Sequence, residues 1–312
     1  MTHLICGVDV SATTLDARIG RDGEHRRFAV SAEGLAGLIA FCQAHQVGLV
    51  VMEATGGYER QPAGHLWAAG LPTAIVNPRA VRDFAKAMGV LEKTDRLDCG
   101  MIAWYAETRR IKPTPPASAT QARLTALVLR LRQLTELRTQ QTSQRRLVTE
   151  PDAIASFEPI LAAIASQQRQ LEALIAQAIG ADPLWARLDA AFRSIKGIAD
   201  RTVARLMAEM PEIGTLSNKA IGKLAGLAPI ARDSGQHSGK RRVRGGREGV
   251  RSILFVVAEV VRRYEPGIAA FHQRSVNAGK PKKLIRIAVA RKILVRLDAK
   301  ARDVRRNAAI PA

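Results

Sequence analysis

The sequence predicts an α/β domain joined to an all-α region. Three observations predict it. Strand-like and helix-like hydrophobic periods alternate over residues 1–112, three prolines interrupt the chain within residues 109–118, and beyond them only helical periods remain. With 312 residues there is room for two domains, and the 47% hydrophobic content belongs to a globular chain.

Residues 4–10, Leu-Ile-Cys-Gly-Val-Asp-Val, read as a buried strand. Alternating stretches near 15–20 and 25–30 follow, with Arg21-Asp22-Gly23 as turn chemistry between them, so they form a hairpin. Ser31 is placed to cap a helix over 32–45, with Glu33 in its first turn. Residues 48–52 are a second apolar strand, followed by a helix over 58–69 and a strand at 73–76. Helices then cover 78–88 and 94–108. Such an order implies a mixed sheet with helices on its faces.

Pro113, Pro115 and Pro116 mark the linker. Residues 119–150 carry Leu124, Leu127, Leu131, Leu134 and Leu137 at helical spacing, and 157–180 repeat the style with Ile160, Ile164, Leu171, Ile175 and Ile179. Two long amphipathic helices predict either an antiparallel hairpin or a coiled-coil arm that joins chains. In the basic remainder, Ser194-Ile195-Lys196-Gly197-Ile198 leads into an apolar helix over 202–210, the pattern of a helix-hairpin-helix. There the turn at Lys196 and Gly197 would offer backbone N–H groups to a phosphate. Residues 224–229 read as a small-residue helix and stop, 231–247 as a mobile Gly/Arg-rich loop, and 248–264 and 281–305 as closing helices.

Charge divides the chain further. Net charge is +1 over residues 1–112, +1 over 113–182 and +18 over 183–312, out of +20 in all. A surface charged only for solubility would not be partitioned so; a near-neutral domain and a helical arm followed by a polyanion-binding domain would be. Aromatics make up 4%, so phosphate contacts from Arg and Lys should dominate over base stacking. Cys6, Cys42 and Cys99 are odd in number and far apart, which excludes a disulfide framework and a zinc site and suits a reducing cytoplasm. The N-terminus lacks a basic leader region, and the longest apolar stretch, near 253–261, is broken by Glu259 and too short for a bilayer. No membrane partner is expected.

Four acids carry the chemistry. Asp9 ends the first strand, Glu53 lies just past the second core strand, and Asp95 and Asp98 are three apart on one helix face. Strand ends plus a helix face is how a ribonuclease-H-like sheet gathers distant acids. Clustered carboxylates repel one another without cations, and paired Mg²⁺ ions need hard oxygen ligands to act at a phosphate. Asp16, Glu59, Glu92 and Glu107 read instead as solvated or paired surface charges.

The blocks Gly7-Val8-Asp9-Val10-Ser11, Met52-Glu53-Ala54-Thr55-Gly56 and Lys93-Thr94-Asp95-Arg96-Leu97-Asp98 resemble the DEDD motif of transposases of the insertion-sequence-110 family. The likeness continues through Ile195-Lys196-Gly197-Ile198, Leu224-Ala225-Gly226-Leu227-Ala228-Pro229, Asp233-Ser234-Gly235, Gly239-Lys240-Arg241, Gly245-Gly246-Arg247, Val250-Arg251 and Gly279-Lys280-Pro281-Lys282-Lys283. The motifs come in order across nearly the whole chain. The resemblance implies a RuvC-like domain over 1–112, a linker and coiled-coil arm over 113–182, and a basic transposase domain over 183–312. It implies an enzyme that cuts and rejoins double-stranded donor and target DNA, guided by a structured RNA encoded by the element. By motif matching, Asp9, Glu53, Asp95 and Asp98 would hold Mg²⁺, with Mn²⁺ as substitute, and Ser234 would be the nucleophile. The leucine-striped helices over 119–180 would leave apolar surface exposed in a lone chain, so a homo-oligomer, dimer or tetramer, is expected, in the bacterial cytoplasm at the nucleoid. Asp298 departs from the pattern, which has Asn there; a weakened local contact is expected.

A serine hydroxyl needs activation by a base, a metal or charge neutralisation. Ser234 is followed by Lys240, Arg241, Arg242, Arg244 and Arg247, then Arg251, and guanidinium groups bind phosphate bidentately. Ser238 is its close competitor, and His237 a proton carrier or a surface residue. Lys280, Lys282 and Lys283 extend the basic set. Two rival readings remain: a RuvC-like nuclease or junction resolvase that hydrolyses without the serine, and a non-catalytic nucleic-acid-binding protein.

Overall fold

A computed structural model describes residues 4–90, 95–231, 233–235, 237–239 and 241–308, without the side chains of 95–97 and 237–238. The chain divides into two compact units, Met1–Ala117 and Ser118–Ala312.

In the first unit, β1 (Leu4–Val10), β2 (Thr14–Ile19) and β3 (His25–Ala29) form an antiparallel meander, so the expected hairpin is present. Ser31 Oγ accepts from the Gly34 amide at 3.1 Å and starts α1 (Ala32–Ala44). Next come β4 (Val47–Glu53), α2 (Arg60–Ala68), β5 (Thr73–Val76), α3 (Pro78–Ala87) and α4 (Asp95–Arg109). Asn77 caps α3 through the Arg79 amide, with Pro78 in the first turn, where its missing N–H costs nothing. Sheet order is β3-β2-β1-β4-β5, with β4 parallel to both β1 and β5. This mixed sheet is consistent with a ribonuclease-H-like domain.

Strand alternation sorts the side chains between two layers. Cys6, Val8, Val10, Leu15, Ala17, Val50 and Met52 face α1 and α2. Leu49, Val51, Ala74 and Val76 face α3 and α4, together with Met101, Ile102 and Ala106.

The second unit begins at Ser118, whose hydroxyl accepts from the Gln121 amide and starts α5 (Ala119–Arg145). There follow α6 (Pro151–Ala155), α7 (Phe157–Gly180), α8 (Pro183–Arg193), α9 (Asp200–Glu209) and α10 (Asn218–Leu224). The long helices α5 and α7 pack on each other, burying Leu124, Val128, Leu131, Leu134, Ile164 and Ile175. Short pairings β6 (Pro229–Ile230) with β9 (Arg242–Val243) and β7 (Asp233–Ser234) with β8 (His237–Ser238) come next. Then α11 (Glu248–Tyr264), α12 (Pro266–Asn277) and α13 (Lys282–Ala308) close the chain. The core gathers α5, α7–α13 and the turns between them, with Phe192, Leu206, Val261, Ile293 and Leu297 among its most buried residues.

Three expectations need correction. The helix expected at 224–229 is α10, which ends at Leu224; the stretch after it is a turn. The segment expected as a mobile Gly/Arg-rich loop, 231–247, contains short paired strands. Asp298 does not weaken its surroundings: fully buried, it accepts from the Gly214 amide at 2.8 Å and from Arg302 at 2.5 Å. Among the described residues, no helix is long and apolar enough to cross a membrane.

Candidate active site and nucleic-acid surface

In the first unit the sheet brings Asp9 and Glu53 together. Val8 lies opposite Met52 in the parallel β1–β4 ladder, and each strand continues by one residue to its acid. Alternation puts both on the α4 side, where Gly7 and Val51 also face. Both carboxylates are partly buried. One Asp9 oxygen accepts from the Val10 amide at 3.0 Å.

Gly7 is what lets α4 come close. A Cβ at this position would lie 2.7 Å from the Ala103 amide nitrogen, and nearer still to the Cys99 carbonyl oxygen. The helix backbone therefore rests directly on β1, and its contacts extend to β2 and β4. Asp98 is partly buried on this helix beside Cys99. Burial pushes the Cys99 thiol up to about 12, and the Asp16 and Asp9 carboxylates add to the shift in a smaller measure. Asp95 begins α4, but its side chain lies outside the described residues. Among the described residues, no three carboxylate, imidazole or thiol groups are gathered at metal-ligand spacing.

Two acids read from sequence as surface charges are buried. Asp16 is directly opposite Asp9 across the β1–β2 ladder, and is 3% exposed. Its oxygens accept from Arg27 Nε at 2.9 and 3.0 Å, and Oδ1 lies 3.0 Å from His25 Nε2. The hairpin register held the signal, since it puts Asp16 on the Asp9 face; what sequence lacked was the covering helix. Glu59 is buried too, accepting from the Thr55 and Gly57 amides at 2.9 Å each. Glu107 is exposed as expected, and Glu92 lies outside the described residues.

In the second unit Ser234 is exposed on β7, paired in register with His237, while Asp233 pairs with Ser238 and accepts from the Gly239 amide at 3.1 Å. Glycine backbones clamp the base of this hairpin. A Cβ on Gly246 would meet Gly226 Cα at 2.6 Å, Arg247 N–H donates to the Leu224 carbonyl, and Arg251 donates to the Gly245 carbonyl at 2.6 Å. The turn after α10 and the Gly245-Gly246 pair thus hold each other in place.

The basic residues separate into two groups. Arg241, Arg242, Arg244, Lys280, Lys282 and Lys283 are exposed; Lys240 lies outside the described residues. Arg247 instead forks onto Glu212 with two contacts of 2.5 Å and donates to the Glu209 carbonyl. Burial raises the Glu212 carboxyl, yet the Arg247 hydrogen bonds prevail and hold it below its ordinary value. Arg247 is thus held by Glu212 and the Glu209 carbonyl, an engagement that its sequence grouping with the other loop arginines did not reveal. The Lys196 turn is held from within the fold. Its amide donates to Glu265 Oε1 at 3.1 Å, and Gly197 (φ 97°) presses on Val261. That N–H is occupied, although the Lys196 side chain is exposed.

Residues 6–148 match a family model described as transposase, of the DEDD type, and residues 189–273 match the transposase IS116/IS110/IS902 family. The chain belongs to the IS110 family of transposases. Its relatives include the pilin gene-inverting proteins of Moraxella bovis and Moraxella lacunata, each 29% identical, with 94% of this chain and 94% of the relative covered. As an IS110 transposase it is a DNA recombinase, with cutting and rejoining of DNA as its activity.

Proposed function

We propose that this transposase exchanges DNA strands at a divalent-metal site made by Asp9, Glu53, Asp95 and Asp98, with Ser234 as the nucleophile that keeps the cut end. The observation that carries the reading is the arrangement of Asp9 and Glu53 at the ends of adjacent parallel strands, on the face covered by the helix that bears Asp95 and Asp98. The donors are all carboxylate oxygens and those of Asp9, Glu53 and Asp98 are partly open to solvent, which suits a hard cation such as Mg²⁺ or Mn²⁺. Such an ion supplies charge stabilisation to the oxygens around the phosphorus.

The rest is the work of the chain. Ser234 Oγ forms a bond to phosphorus, and its proton passes through solvent to the departing strand's oxygen. The bond from phosphorus to the departing strand's oxygen breaks, and that strand leaves with a hydroxyl end. The serine ester keeps the energy that hydrolysis would lose, so an incoming hydroxyl can reverse the step and restore Ser234. Exposed Arg241, Arg242 and Arg244 neutralise phosphate nearby. The Moraxella relatives are named for gene inversion, an outcome that joins ends as well as cutting them, and this supports strand exchange over plain hydrolysis.

In this reading residues 1–112 are the carboxylate domain, 113–182 the arm that joins copies into a dimer or tetramer, and 183–312 the DNA-contacting domain. A structured guide RNA selects donor and target duplexes, in the cytoplasm at the nucleoid. The test is recombination by full-length Asp9→Asn and Glu53→Gln proteins with Mg²⁺. Loss of recombination with unfolding transitions retained is expected; full activity in Asp9→Asn, or in EDTA, overturns the site. A nuclease or resolvase that hydrolyses would keep cutting in Ser234→Ala.

A further inference from the structure

The turn after Glu53 is braced more heavily than a strand-to-helix connection needs. The Ala54 amide donates to the Val76 carbonyl at 3.0 Å, and Thr55 Oγ1 donates to the carbonyl of Glu53 itself at 3.2 Å. Gly56 and Gly57 have φ of 65° and 112°, a region that side-chain-bearing residues avoid. The buried Glu59 carboxylate then receives the Thr55 and Gly57 amides. Burying a carboxylate is costly unless N–H groups replace its water, and here two do.

What this rigid turn presents is Tyr58, 57% exposed. Among the described residues its side chain has no hydrogen-bond or ring partner, and only Tyr58 and Tyr264 are exposed aromatics. We propose that Tyr58 is a stacking contact for an unpaired base of the DNA strand being cut, and that Glu59 is the residue that positions it. The proposal rests on the reading of Asp9 and Glu53 as the cutting site.

A carboxylate site that acts on one strand must separate that strand locally, and the base that loses its neighbours needs another flat surface. A tyrosine fixed beside the scissile position supplies it at little entropic cost, because the loop is already ordered. Exposed Arg60 follows directly and suits the neighbouring phosphate. The low aromatic content argues against stacking as the general mode of binding, and leaves room for one such contact at the site of chemistry.

The experiment is photocrosslinking of full-length protein to a single-stranded DNA oligonucleotide carrying 5-iodouracil, mapped by mass spectrometry, with affinity measured in parallel. An adduct on Tyr58 is expected. Tyr58→Ala should bind the oligonucleotide roughly 5- to 100-fold more weakly, Tyr58→Phe and Tyr58→Trp should restore binding, and Glu59→Ala should resemble Tyr58→Ala. Absence of an adduct in residues 54–60 together with unchanged affinity in Tyr58→Ala overturns the proposal, even where metal-dependent cutting through Asp9 persists. A Tyr58 adduct in a protein whose Asp9→Asn variant still cuts supports the stacking contact and removes the carboxylate reading instead.

Discussion

Replacing Gly7 by Ala adds one methyl group at the place where α4 rests on β1. That carbon would lie 2.7 Å from the Ala103 nitrogen, and closer to the Cys99 oxygen, both of them backbone atoms that cannot rotate away. Restoring an ordinary ~3.5 Å separation from the Cys99 oxygen, the nearer of the two, requires α4 to retreat by more than ~1 Å, and overpacking of this kind costs ~1–3 kcal/mol. Asp98 neighbours Cys99 on the same helix, so the retreat carries it away from Asp9 and Glu53. A displacement of ~1 Å at a reacting centre lowers rates by about 100-fold. Strand cutting by Gly7→Ala should therefore fall by about two orders of magnitude, while the unfolding midpoint of this unit drops by roughly 3–20 °C. The assay is single-turnover cutting of labelled DNA, with calorimetry on the same sample. A wild-type rate in a folded Gly7→Ala protein would refute the claim that helix approach at Gly7 sets the carboxylate geometry.

Asp298→Ala leaves the Gly214 amide without its acceptor and should cost about 1–3 kcal/mol in denaturant unfolding; Asp298→Asn, which keeps an acceptor oxygen, should cost less. Arg241, Arg242 and Arg244 replaced together by Ala should weaken DNA binding and flatten its salt dependence by a slope of up to about 3, whereas Arg247→Ala should lower stability through loss of the Glu212 fork. The Cys42 hydrogen bond and burial hold the Cys6 thiol well above its ordinary range, so the folded chain keeps a proton that the unfolded chain releases near pH ~8.5. Stability should be unaffected below that pH and decline as pH rises beyond it, and the decline measured by urea midpoints should be shallower in Cys6→Ala.

The strands of the first unit were legible because half-buried strands alternate, and Ser31 and Asn77 mark helix starts. Asp9 and Glu53 were legible because acids at the ends of apolar strands stand out. Asp16 was not, because its burial depends on a helix some eighty positions away closing over the hairpin. Glu59 was assigned to a helix that starts one residue later, at Arg60, so its role in the turn was hidden. The hairpin around Ser234 has no hydrophobic alternation, being built from short pairings clamped by glycine contacts. Arg247 looked like its arginine neighbours; only the fold brings Glu212 to it. The helix α6, only 5 residues long, carries no readable period, and α12 was left unassigned although it is longer than α2 and α3.

If cutting depends on the carboxylate face while the cut end is kept on Ser234, the most direct measurement is a denaturing gel of labelled DNA after reaction with full-length protein, Mg²⁺ and the element's RNA, with any adduct mapped by mass spectrometry. The expected result is a covalent protein–DNA species attached at Ser234, absent in Ser234→Ala and absent in Asp9→Asn. Cut DNA without any adduct, or an adduct at Ser238, would contradict it.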